Sequence, residues 1–171
     1  NASARMTRLI NQLQDRNAAP NAQPVDLAGL ARGVAGRCAD RAPVPLFAEP
    51  SEQSVVVRAD PDRLASTLEH VVRNAQDACE AGDSITIGLA ADSSRARLSI
   101  TDTGRGMEPG FVRERLFRPF DSTKGPKGMG IGAFQVREYV RSLGGDVEVQ
   151  SSPGTGTRFD IILPVSDGSH D

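Results

Sequence analysis

Along this chain the strand-like segments come in pairs, each pair separated from the next by a helical or irregular stretch, and no other feature restricts the fold as tightly. Apolar residues recurring every three to four positions mark helices, and strict alternation marks strands. Asp26 is placed to cap a helix that carries Leu27, Leu30, Ala31, Val34 and Cys38 on one face and runs toward Pro43. Two short strands follow, around Leu46 and over residues 55–57. Asp60-Pro61 opens a second helix, with Leu64, Leu68, Val71, Val72, Ala75 and Cys79 as its apolar stripe and Gly82 as its end. Strands over 84–90 and 96–102 are joined by the polar turn Asp92-Ser93-Ser94. A glycine-rich irregular region from 104 to 128, with a short helix over 108–116, leads into a helix over 129–143 that stops at Gly144-Gly145. Strands over 147–150 and 158–163 close the chain as a hairpin across Pro153-Gly154-Thr155-Gly156. Consecutive strands joined by short turns are antiparallel, whereas parallel neighbours need a helical crossover. The expected fold is therefore α+β, a two-layer sandwich of a mixed, largely antiparallel sheet with helices on one face.

A length of 171 residues suits one domain. With no Trp and one Tyr, the core must be aliphatic, helped by six Phe. The net charge of −2 supplies no basic field, so neither nucleic acid nor direct membrane contact is expected. Cys38 and Cys79 form no CxxC pair and fall at apolar helical positions, which reads as small buried thiols in a cytoplasmic protein. Met6, Leu9, Ile10 and Leu13 recur at helical spacing. The expected organisation is a helix end over 1–17, a linker over 18–24, a catalytic domain over 25–165 and a polar tail over 166–171.

Four segments carry the chemistry. In the first, His70, Asn74 and Asp77 stand at i, i+4 and i+7, on a helical face away from the apolar stripe. A neutral Asn amide oxygen beside nucleotide phosphates is a plausible partner for Mg²⁺, which prefers oxygen ligands and retains water. Alone, however, this face reads better as ordinary solvated surface. The second is Asp102-Thr103-Gly104-Arg105-Gly106-Met107, directly after a strand. A carboxylate there can accept the adenine amino proton, and glycines allow the chain to curl against a purine; a plain Asp-x-Gly turn explains the same residues. In the third, Phe117-Arg118-Pro119-Phe120 leads through Lys124 and Lys127 to Gly128-Met129-Gly130-Ile131-Gly132. Glycines entering a helix offer backbone N–H groups and a positive dipole end to a polyphosphate, and the two lysines add charge. No Walker sequence is present, and GxGxxG is not matched. The fourth, Gly154-Thr155-Gly156-Thr157, is a hairpin turn whose Thr157 could also reach Asp102.

In this order the four segments resemble the N, G1, F/G2 and G3 boxes of sensor histidine kinases, within the wider gyrase, heat-shock chaperone, histidine kinase and mismatch-repair ATPase group. The resemblance covers about 25–164, and the glycine box together with residues 135–145 is most like the nitrogen-regulation and exopolysaccharide-linked kinases. It implies ATP and Mg²⁺ as cofactors. Asn74 would hold the metal and Asp102 the adenine amino group, with Gly104 and Gly106 lining the base pocket. Residues 117–127 would form a lid, Gly128, Gly130 and Gly132 would line the triphosphate, and Thr157 would support Asp102 through water. Many family members have Asn where this chain has His70. A hydrogen-bonding role for His70 carries over, either to nucleotide or its water or simply along the site wall.

The related hydrolases place a Glu one helical turn before the metal-binding Asn, and here that position is His70. Glu69 is one residue away, about 100° round the helix, and faces elsewhere. Phosphoryl transfer to a nucleophile supplied from outside therefore fits better than hydrolysis. Neither His70 nor His170 has the setting of a phosphoacceptor. The resemblance implies an acceptor histidine in an upstream dimerisation domain of the same kinase, to which 4–14 would be the tail, and a response regulator served through that domain. The parent protein could be anchored in the inner membrane. An anti-sigma-factor-type serine kinase and a degenerate nucleotide-binding module are the alternatives.

Overall fold

A computed structural model describes residues 21–48, 54–118 and 131–166. Strand β1 (Gln23–Asp26) precedes helix α1 (Leu27–Arg37) and a single 3₁₀ turn (Cys38–Asp40). Strands β2 (Leu46–Phe47) and β3 (Val56–Ala59) lead to α2 (Pro61–Ala78), then to β4 (Ile85–Ala91) and β5 (Arg95–Asp102). A short α3 (Pro109–Glu114), α4 (Ile131–Ser142), β6 (Asp146–Ser152) and β7 (Gly156–Pro164) complete the order. Helix caps form where the sequence puts them. The Asp26 carboxylate accepts from the Ala28 N–H at 3.2 Å, and Asp60 accepts from Asp62 and Arg63 N–H at 3.0 and 3.3 Å.

The main sheet has five strands in the order β2-β4-β5-β7-β6, all antiparallel except the β2–β4 pair. Its inner face presents Ile85, Ile87, Leu98, Ile100 and Ile161 to Leu64, Leu68 and Val72 of α2 and to Val136 and Val140 of α4, all buried. Fully burying each such side chain contributes roughly 1.5–3 kcal/mol. The expected two-layer α+β architecture is the one observed.

Two features differ from the expectation. The stretch 18–24, read as a linker, contributes Gln23 and Pro24 to β1, which pairs antiparallel with β3 in a separate two-stranded sheet. Proline is tolerated there because this strand pairs on one side only. The first helix ends at Arg37, well before Pro43, and the second is capped at Cys79 rather than Gly82. What holds the segment after α1 is a side chain of α2. Gln76 is 1% exposed and donates from Nε2 to the carbonyls of Cys38 and Arg41, both at 2.9 Å, and of Pro43 at 3.3 Å.

Candidate functional site

The site is assembled where the end of β5 meets the end of α2 and the β6–β7 hairpin. Asp102 ends β5 on the inner face of the sheet, opposite Ile85 on one side and Thr157 on the other. It is 5% exposed, and its Oδ1 accepts from the Gly104 N–H at 2.9 Å. Burial raises its pKa above the ordinary carboxylate range, the backbone N–H groups of Gly104 and Thr157 opposing the rise and the nearby Asp83 charge adding to it. Cys79 lies alongside, its thiol pushed up to about 11 by burial and by the Asp102 charge, so it stays neutral.

The loop beyond Asp102 is stapled on both sides. Arg105 N–H donates to the Ala78 carbonyl at the end of α2 at 3.0 Å, and Gly154 N–H donates to the Arg105 carbonyl at 2.8 Å. A Cβ on Gly104 would collide with the Ala78 carbonyl and lie 3.1 Å from Asp102 Oδ1. Gly106 has φ +71°, a left-handed conformation, and a Cβ there would strike the Ser152 carbonyl. Both glycines are required by close approach.

Sequence reasoning missed Ser151, which organises this end of the site. Its Oγ donates to the Gly156 carbonyl at 3.0 Å and accepts from the Met107 N–H at 2.8 Å. With that one proton spent, the 2.7 Å contact to Thr157 Oγ1 has Thr157 as donor. Thr157 thus sits beside Asp102 in register but turns its hydroxyl proton to Ser151. The cue was available, since Ser151 pairs with Thr157 once the hairpin register is known.

Helix α2 supplies the wall. His70 is exposed and lies against the first turn of α4, where a Cβ on Gly132 would come within 2.9 Å of its Cδ2. Asn74 is half-buried one turn further along, and Ala78, next to Gly104, one turn beyond that. One face of α2 therefore runs from the α4 entry to the loop after β5. Asp77, at the edge of this face, receives Arg41 Nη1 at 2.6 Å. Glu69 is turned away and faces Arg37 at 3.4 Å and Arg73 at 3.6 Å. Lys124, Lys127, Gly128, Met129 and Gly130 lie outside the described residues; Ile131 begins α4. No group of three or more His, Cys, Asp or Glu able to hold a metal occurs among the described residues. The single amide of Asn74 thus fits only a cation that arrives with its own oxygen ligands, as Mg²⁺ does with a nucleotide.

Comparison with known proteins gives this geometry its class. Residues 59–167 match the family described as Histidine kinase-, DNA gyrase B-, and HSP90-like ATPase, and the chain belongs to it. Within that family it is an ATP-binding catalytic domain of the histidine kinase type, similar to proteins named as sensor proteins and sensor histidine kinases. It is 36% identical over 121 residues to the sensor protein DivL of Caulobacter vibrioides, covering 71% of this chain and 16% of DivL. It is 34% identical over 110 residues to the sensor histidine kinase ZraS of Escherichia coli O157:H7, covering 64% of this chain and 24% of ZraS. Full-length ShkA, solved in complex with AMPPNP, superposes with a TM-score of 0.74 at 32% identity, over 85% of this chain and 31% of that one. The chain thus spans a quarter or less of its curated relatives DivL and ZraS, which carry other segments besides. Among the described residues no helix is long and apolar enough to cross a membrane.

Proposed function

We propose that this chain binds Mg·ATP and presents its γ-phosphoryl group to a histidine on a separate, upstream dimerisation domain of the same kinase, for relay to a response regulator. The observation that carries the reading is Asp102, a buried carboxylate whose hydrogen-bond donors among the described residues are backbone N–H groups, beside two glycines with no room for a side chain. Such a group accepts the exocyclic amino hydrogen of adenine; guanine presents a carbonyl at that position and is repelled. Thr157, its proton committed to Ser151, offers lone pairs to a water shared with Asp102. Asn74 holds Mg²⁺ through its amide oxygen, and His70 lines the phosphate end against Gly132. Lys124, Lys127 and the backbone from Gly128 to Gly132 complete that end by their place in the sequence. The metal, when bound, neutralises charge on the phosphates.

In the transfer step the acceptor imidazole attacks the γ-phosphorus while the bond to the β-phosphate oxygen breaks, leaving ADP. The chain contributes position and charge and no base. Glu69, the nearest carboxylate on α2 to the hydrolase position, is engaged by Arg37 and Arg73. We place this domain in the cytoplasm, with residues 1–17 as the end of the dimerisation helix, 18–22 as its linker up to β1 and 166–171 as a tail.

The test is incubation with γ-labelled ATP and Mg²⁺. The chain alone is expected to stay unlabelled, and a two-helix acceptor domain added in trans to gain acid-labile phosphate. Label on His70, or acid-stable label on a serine of the partner, would overturn the assignment.

A further inference from the structure

Asp77 poses an electrostatic problem that Arg41 answers, and the inference rests on the nucleotide reading above. On α2, Asp77 is three residues from Asn74 and adjacent to Ala78, so its Cβ lies about 5–6 Å from the Cβ of the side chain assigned to the metal. A bare negative charge there is inside the Debye length of about 8 Å at physiological ionic strength, and it repels a triphosphate. Arg41 Nη1 meets Asp77 Oδ1 at 2.6 Å. That arginine comes from the segment after α1, whose place beside the site no local pattern indicates.

The segment is held independently of the Arg41 guanidinium. The two Nε2 protons of Gln76 are shared among the carbonyls of Cys38, Arg41 and Pro43. Arg73, one turn before Asp77, pairs with Asp40 at 2.7 Å. The backbone at position 41 is thus pinned from both sides, and the guanidinium is free of any duty in holding it there.

We propose that Arg41 is a positioning residue of the nucleotide site that masks the charge of Asp77, so that the polyphosphate and not merely the base is accepted. The experiment is calorimetric titration of the whole chain with Mg·ATP and, separately, with adenosine, for the parent, Arg41→Met and Arg41→Met/Asp77→Asn. Arg41→Met should weaken Mg·ATP binding by about threefold to tenfold at low salt, with a smaller loss in high salt. Adenosine binding should be unchanged. The double variant should return Mg·ATP affinity to within about twofold of the parent, since removing both charges removes the repulsion. A structural tether would behave otherwise, with adenosine and ATP affinity falling together and no rescue by Asp77→Asn. Either result, or an Arg41→Met variant that binds Mg·ATP like the parent, overturns the proposal while leaving the nucleotide reading intact. A parent chain that binds no Mg·ATP overturns both.

Discussion

Two aspartates on neighbouring strands are buried almost equally, and their surroundings could hardly differ more. Asp160 on β7 is 2% exposed and points to the outer face of the sheet. It receives Arg97 at 2.9 Å and Arg158 Nε at 3.1 and 3.2 Å, and those cations reach on to Glu148 and the Ser99 hydroxyl. Asp102 on β5 faces inward and holds backbone N–H groups; no arginine or lysine pairs with it among the described residues. Taking a carboxylate out of water costs several kcal/mol unless cations or hydrogen bonds compensate. The protein compensates that cost within itself at Asp160 and leaves it outstanding at Asp102. A saturated buried charge serves the fold, whereas the unsaturated one beside a tight glycine loop is, on the proposed reading, the one kept for a ligand.

The sharpest way to break this contrast is Asp102→Asn. The amide oxygen can still accept from Gly104 N–H, so the loop should keep its shape, but the amide cannot match a carboxylate toward the adenine amino group. Adenine nucleotide affinity should fall by about 2 kcal/mol, roughly thirtyfold, in a titration with Mg·ATP. Stability should move the other way. Because burial raises the Asp102 pKa in the folded chain, the protonated form is favoured by folding, and stability contributed by that proton is present at low pH and lost as pH rises through the folded pKa. Removing the charge should therefore raise the melting temperature near neutral pH. A variant that binds ATP normally, or one that loses binding because it melts earlier, would show Asp102 to be structural like Asp160.

Asp160→Asn makes the converse test. It leaves Arg97 and Arg158 without their shared counter-charge, though both are half-exposed and water takes up part of the loss. The expected cost is about 1–2 kcal/mol in a denaturation experiment. Mg·ATP affinity should not change, because the residue lies on the face of the sheet away from α2. Loss of binding at full stability would mean that the outer face takes part in recognition.

The two carboxylates were unequally legible in the sequence. Asp102 could be singled out because it ends an alternating strand and is followed by Gly104 and Gly106, so its place at a strand tip followed from local pattern alone. Asp160 sits between Phe159 and Ile161, where alternation sends it outward to an apparently solvated face. Its burial depends on Arg97 arriving from β5 and Arg158 from beside it, and only the β5–β7 register brings Arg97 there. Gln76 was hidden in the same way. It lies on the edge of the α2 stripe next to Ala75, but the carbonyls it grips are more than thirty residues upstream. Strand β1 escaped notice because a four-residue strand with a proline resembles a linker until its partner Val56–Ala59 is known. Local periodicity carried the helices, the main sheet and the order of the site residues, while the buried polar contacts belong to tertiary registers that no window of sequence contains.

Glu69 extends the contrast to a third carboxylate and carries the smallest expected effect. It stands on α2 one residue before His70, near enough to the site to be taken for a base that activates water. Its oxygens instead face Arg37 and Arg73, so by the same reasoning as for Asp160 it is a saturated group with its charge spent on the α1–α2 contact. Glu69→Gln should cost about 0.5 kcal/mol of stability or less, as expected for partly exposed pairs. Any release of phosphate from Mg·ATP by the isolated chain, and transfer to an acceptor domain in trans, should both proceed at the parental rate. A tenfold fall in phosphate release with binding preserved would place Glu69 in the reaction, and partnership with arginine would then no longer separate structural carboxylates from functional ones in this molecule.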